Sequence, residues 1–81
     1  MYYSLLFLDE GRWGVEFGDH DREVVKEERE DRIFDMTGPA WELYRIARHR
    51  NARQATIDKD VAKINKDHVA ALKIMAERTT T

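Results

Sequence analysis

The sequence predicts an α+β fold of order ββαβα: a small antiparallel or mixed sheet with helices on one face and a long C-terminal helix. Three observations predict it. An apolar run before Gly11 and an apolar alternation after it mark a β-hairpin, and the charged run after Gly18 opens with helix-start chemistry. From Ile57 onward an apolar seam recurs at spacings of four and three, the mark of a second helix. At 81 residues the chain is one domain, read as residues 1–78 with a frayed tail at 79–81.

The first strand is Tyr2 to Leu8. Tyr2, Leu6 and Leu8 line one face and Tyr3, Leu5 and Phe7 the other, with Ser4 the one interruption. Two apolar faces predict a central strand, or one covered on its second face by another subunit. Asp9-Glu10-Gly11-Arg12 is the turn, with Gly11 free to take positive φ. Trp13, Val15 and Phe17 then alternate with Gly14 and Glu16, the period of a half-buried strand.

Gly18-Asp19 ends that strand, and Asp19 is placed to cap a helix from His20 to about Phe34. Asp21 and Glu23 put negative charge in its first turn, where the helix dipole favours it. Val24, Val25, Ile33 and Phe34 form a narrow apolar stripe, so most of the helix surface is expected to be wet. Glu28 and Arg32 are a favourable i,i+4 pair. Glu23–Glu27 and Glu27–Asp31 are like-charge pairs that each cost a few tenths of a kcal/mol, roughly.

Thr37-Gly38-Pro39 breaks the helix. The stretch from Ala40 to Asn51 reads two ways. As a helix it has Pro39 at the first position and Ala40, Tyr44 and Ala47 on one face. As a strand it sets Tyr44 and Ile46 against Leu43, Arg45 and Ala47. The second helix begins near Thr56 with Ile57, Val61, Ile64, His68, Ala71 or Leu72, and Met75 on its seam. Continuous to Arg78 it spans roughly 33 Å at 1.5 Å per residue. Asn65-Lys66-Asp67 offers a break, with Asp67 able to cap a separate last helix.

Composition narrows function. There is no cysteine, hence no disulfide framework or thiolate metal site, and the N-terminal apolar run is too short for a membrane span or signal peptide. An intracellular protein is the expectation. The net charge of −2 conceals a gradient. Glu16 to Asp35 holds nine acidic residues against four basic, whereas Glu42 to Arg78 holds five against nine. Such a field suits steering toward a charged partner.

The run Phe17-Gly18-Asp19-His20-Asp21-Arg22-Glu23, followed by Glu28-Arg29-Glu30-Asp31, resembles short uncharacterised proteins of phages, prophages and mobile elements of alphaproteobacteria. Their core reads F-G-D-Y-D-R-E before a charged helix with E-R-x-D. Tyr44-Arg45-Ile46, Arg53-Gln54-Ala55-Thr56-Ile57-Asp58 and Val61-Ala62-Lys63-Ile64-Asn65 match a second block, which there is a basic-aliphatic strand followed by a short helix. The resemblance spans Met1 to Asn65, about four-fifths of the chain, and implies a strand around Glu42 to Arg48. It implies no activity. His20 stands where the pattern has tyrosine, and Lys66 to Thr81 extends past its usual end.

Few residues invite chemistry. Asp19, His20, Asp21 and Glu23 could together suggest a metal site, but capping and dipole roles account for the carboxylates, so no metal and no cofactor are expected. Arg45, Arg48, Arg50 and Arg53, with Tyr44 and Trp41 nearby, form a basic segment able to contact phosphate and stack on bases. The acidic helix opposes that reading. His68 reads as a core or interface histidine; at a helix–helix contact its protonation would weaken association at acid pH. No Ser-His-Asp order, phosphate loop or strained acid pair stands out, so the protein is expected not to be an enzyme.

The expected function is that of a non-enzymatic interaction protein of phage or mobile-element origin, acting in the host bacterial cytoplasm. An anti-CRISPR or other anti-defence inhibitor is the concrete form. Asp19, Asp21, Glu23, Glu27, Glu30 and Asp31 would occlude a basic surface of a host protein, such as a nucleic-acid-binding defence complex. The alternative is a small nucleic-acid-binding or regulatory module using the arginines from Arg45 to Arg53. A homodimer is expected from the aromatic sheet surface, the small size and the long last helix.

Overall fold

The computed structural model describes residues 1–34 and 40–79. The break expected at Thr37-Gly38-Pro39, the side chain of Trp41, and the tail beyond Thr79 lie outside the described residues. The fold is α+β in the order ββαβα. Strands β1 (Tyr2–Asp9) and β2 (Arg12–Asp19) form the hairpin, helix α1 (Arg22–Phe34) follows, then a short 3₁₀ turn (Ala40–Leu43), strand β3 (Tyr44–His49) and helix α2 (Gln54–Thr79).

Both pairings of the three-stranded sheet are antiparallel, and the strand order is β2-β1-β3. The doubly apolar β1 is therefore central, as its pattern demands. In the hairpin turn Glu10 has φ 52° and Gly11 φ 80°. Two left-handed residues in succession make the turn whose twist matches that of the flanking strands. The ambiguous stretch divides: its first residues take the helical turn and Tyr44–His49 the strand. Pairing decides this. Tyr44 and Ile46 align with Phe7 and Leu5, while Ala47 and His49 align with Ser4 and Tyr2, closing the second edge of β1.

A β-bulge alters β2. Leu5 faces Phe17 but Leu6 faces Val15, so Glu16 is the extra residue. Trp13, Val15 and Phe17, expected on one face, are thereby split. Phe17 joins the Leu5 face, and Val15 and Trp13 join Leu6 and Leu8.

Leu5 and Leu6 are adjacent, point to opposite faces, and are both 0 % exposed. The layout expected from sequence put the helices on one face; the burial of both leucines shows that β1 is covered on both sides within one chain. Tyr2, Ser4, Leu6, Ala47 and His49 share the face on which α2 lies, since His49 bonds to Asp60 of that helix. The Leu5 face, with Phe7, Phe17, Tyr44 and Ile46, falls to α1, whose one fully buried residue is Val25. The aromatic sheet surface that suggested a dimer is thus used up internally.

Helix α1 starts at Arg22, later than the sequence suggests, because its cap is Asp21 and not Asp19. The Glu23 N–H donates to Asp21 Oδ1 at 2.9 Å, while the Asp21 N–H donates to Asp19 Oδ1 at 2.8 Å and fixes the approach. The anticipated Arg32–Glu28 pair forms at 2.9 Å, and Arg32 also reaches Glu16 of the bulge at 3.4 Å. The Glu28 carboxylate raises the Arg32 guanidinium above its ordinary pKa, keeping it charged.

Helix α2 runs 26 residues unbroken. Asn65, expected as a breakpoint, is instead a clasp. Its Oδ1 accepts the Trp13 N–H at 2.7 Å and its Nδ2 donates to the Trp13 carbonyl at 3.0 Å. Those two backbone groups point outward from edge strand β2, and the amide satisfies both. Gly18 has an equally local reason. A Cβ there would run into the ring of Tyr2, which stands edge-on to His20 at 5.0 Å.

Candidate functional site

Along α1, Glu23, Glu27, Glu30 and Asp31 follow one another at i, i+4, i+7 and i+8, which places them on one stripe. It is turned away from buried Val25, and all four residues are exposed. The same stripe ends in Phe34, expected from sequence among the core-facing residues but in fact 85 % exposed. Its helical spacing of three from Asp31 and four from Glu30 is the signal that could have placed it there. The salt bridges among the described residues join Arg32 to Glu16 and Glu28, and Asp60 is hydrogen-bonded to His49; none of these engages the stripe. Asp19 and Asp21, grouped with the stripe on sequence, lie at its head with their carboxylates accepting backbone N–H groups.

The arginine segment does not form one surface. Arg45, Arg48, Arg50 and Arg53 are all exposed, but Arg45 pairs with Leu6 and Arg48 with Tyr3, on opposite faces of β3. What comes together is Arg48 and Arg50 with Lys59 of α2, around a cleft that excludes Arg45 and Arg53. Lys59 carries no sequence signal for this role, because only the docking of α2 beside β3 brings it there.

A hydrogen-bonded chain runs through the core that no spacing reveals. Ser4 Oγ lies 2.6 Å from His49 Nε2, and His49 Nδ1 lies 2.8 Å from Asp60 Oδ2. An ionised carboxylate only accepts, so with a neutral ring Nδ1 carries the proton and Nε2 accepts the Ser4 hydroxyl. Nucleophilic serines use this order of groups. Here Ser4 is 0 % and His49 1 % exposed, so no substrate carbonyl can approach the hydroxyl. The chain ties β1, β3 and α2 together. The unexplained serine of a central strand is the sequence clue to it.

His20 rests its Nδ1 3.3 Å from the Met1 carbonyl, and among the described residues no group of three or more His, Cys, Asp and Glu is placed to hold a metal ion. His68 meets the edge of Trp13 at 6.2 Å. Among the described residues no helix is long and apolar enough to cross a membrane.

Comparison with protein-family models, curated proteins and solved structures finds no significant match to this chain. The site must speak through its own geometry.

Proposed function

We propose that this protein is a non-enzymatic interaction module that binds another protein through the outer face of α1. The observation that carries this reading is a stripe of four exposed carboxylates, without salt-bridge partners among the described residues, ending in an exposed phenylalanine. Crowding Glu23, Glu27 and Asp31 at i,i+4 intervals works against helix stability, so folding does not account for it. A basic groove would relieve the repulsion and fix orientation, while Phe34 supplies an apolar anchor of the kind that dominates interface energetics.

A basic groove of this kind is the common feature of nucleic-acid-binding proteins. In line with the phage and mobile-element resemblance, the target is a nucleic-acid-binding defence complex of the host bacterial cytoplasm. The protein acts there as an anti-CRISPR or other anti-defence inhibitor that occludes the groove. Self-association belongs to the distal half of α2, where Val69, Leu72 and Met75 are exposed; light scattering should then give twice the monomer mass. The test of the main reading is capture from host lysate with the wild type and with Glu27→Ala/Glu30→Ala/Asp31→Ala. The wild type should retain a defined partner that the variant loses, with unchanged circular dichroism. Equal capture by both would overturn the acidic-face reading.

A further inference from the structure

The molecule has a second charged feature, opposite in sign to the stripe on α1. A cleft of about 540 Å³ opens between the end of β3 and the first turns of α2, lined by Arg48, Arg50, Ala55, Thr56, Lys59 and Asp60. Its three cations come from three segments: Arg48 from β3, Arg50 from the turn after it, and Lys59 from α2. All three are exposed, and the salt bridges among the described residues engage none of them. Asp60, the one carboxylate on the rim, has an oxygen committed to buried His49 at 2.8 Å. The lining therefore sums to two positive charges, drawn together from β3, the turn after it and α2.

We propose that this cleft binds a terminal phosphate group, the phosphomonoester of a nucleotide or of a nucleic-acid strand end. A dianion matches the surplus charge, and the planar donor forks of Arg48 and Arg50 suit phosphate oxygens better than a point cation would. The Thr56 hydroxyl on the rim is a further donor, and the first turn of α2 contributes its dipole. A continuous nucleic-acid backbone fits less well. It needs a track of cations, and the arginines of β3 are divided between opposite faces. The proposal stands apart from the acidic-face reading, so either can fail without the other.

The experiment is a backbone amide NMR titration of the full chain at constant ionic strength with five probes: inorganic phosphate, adenosine monophosphate, a short 5′-phosphorylated oligonucleotide, its unphosphorylated twin, and chloride. Saturable shifts confined to residues 48–60 are expected for the phosphate-bearing probes. Tighter binding of the phosphorylated strand identifies a strand end as the source, and equal or tighter binding of the mononucleotide identifies a nucleotide. Lys59→Gln and Arg50→Gln should each weaken binding by about tenfold. Arg45→Gln, outside the cleft, should leave it unchanged. Chloride-like responses, equal binding of the two oligonucleotides with no response to the small phosphates, or an Arg45→Gln loss matching that of Lys59→Gln would overturn the proposal.

Discussion

The two helices treat their polar residues in opposite ways. Where α2 lies on the sheet, polar side chains are consumed by folding: Asp60 bonds to buried His49, and Asn65 clasps both backbone groups of Trp13. On α1 Glu28 and Arg32 pair with each other and the Arg29 Nε–H donates to the Tyr44 carbonyl of β3 at 3.4 Å, while Glu23, Glu27, Glu30 and Asp31 stand outward. Polar residues that satisfy buried groups are explained by stability, because an unpaired buried donor or acceptor costs roughly 1–3 kcal/mol. Those that satisfy nothing and repel one another need another explanation. The difference separates a helix whose polar residues serve the fold from the one that carries the proposed binding face.

The sharpest way to break that contrast is His49→Ala. It leaves the buried Ser4 hydroxyl without its partner and opens a cavity between β1, β3 and α2, at an expected cost of about 3 kcal/mol. For a domain of this size that is a large share of the total, and urea denaturation measures it directly. A loss below about 1 kcal/mol would mean that the chain of hydrogen bonds is incidental.

Asn65→Ala comes next. Freeing the Trp13 N–H and carbonyl at an edge strand should cost about 1–2 kcal/mol, less than a core site because water reaches the edge. Trp13→Phe is the control on the same contact. The Trp13 Nε1 is buried without an acceptor among the described residues, so removing it should change thermal stability little. Gly18→Ala should cost about 1 kcal/mol, since the added methyl displaces the Tyr2 ring from His20, and the lower melting temperature reports it.

The smallest effect on stability belongs to the proposed binding face of α1. Glu27→Ala/Glu30→Ala/Asp31→Ala should leave the unfolding free energy from urea denaturation unchanged, or raise it by a few tenths of a kcal/mol, roughly, as like-charge repulsion is relieved. Binding is where this variant should fail. A fall in stability comparable to that of Asn65→Ala would erase the distinction between the helices.

Much of the scaffold was legible in the chain. The doubly apolar run from Tyr2 to Leu8 announces a central strand, Gly11 a turn, and the four-and-three seam of α2 a helix, because each is a local periodicity. The acidic stripe was legible too, since residues on one helix share a face by spacing alone. Phe34 reads inward by its apolar character, although its helical spacing sets it beside Glu30 and Asp31 on the outer face.

What the sequence alone determined is therefore what depends on neighbours along the chain: element order, the central place of β1, the Glu28–Arg32 pair and the acid-rich side of α1. Tertiary structure decided the rest. It inserted Glu16 as a bulge within an unbroken alternation, turned Asn65 from a helix break into a clasp, and joined Ser4, His49 and Asp60 across 45 and 11 residues of sequence. It also split the arginines of β3 and recruited Lys59 to two of them. Each of these turns on register and docking, which are set by the burial of whole faces and not by any residue's immediate neighbours.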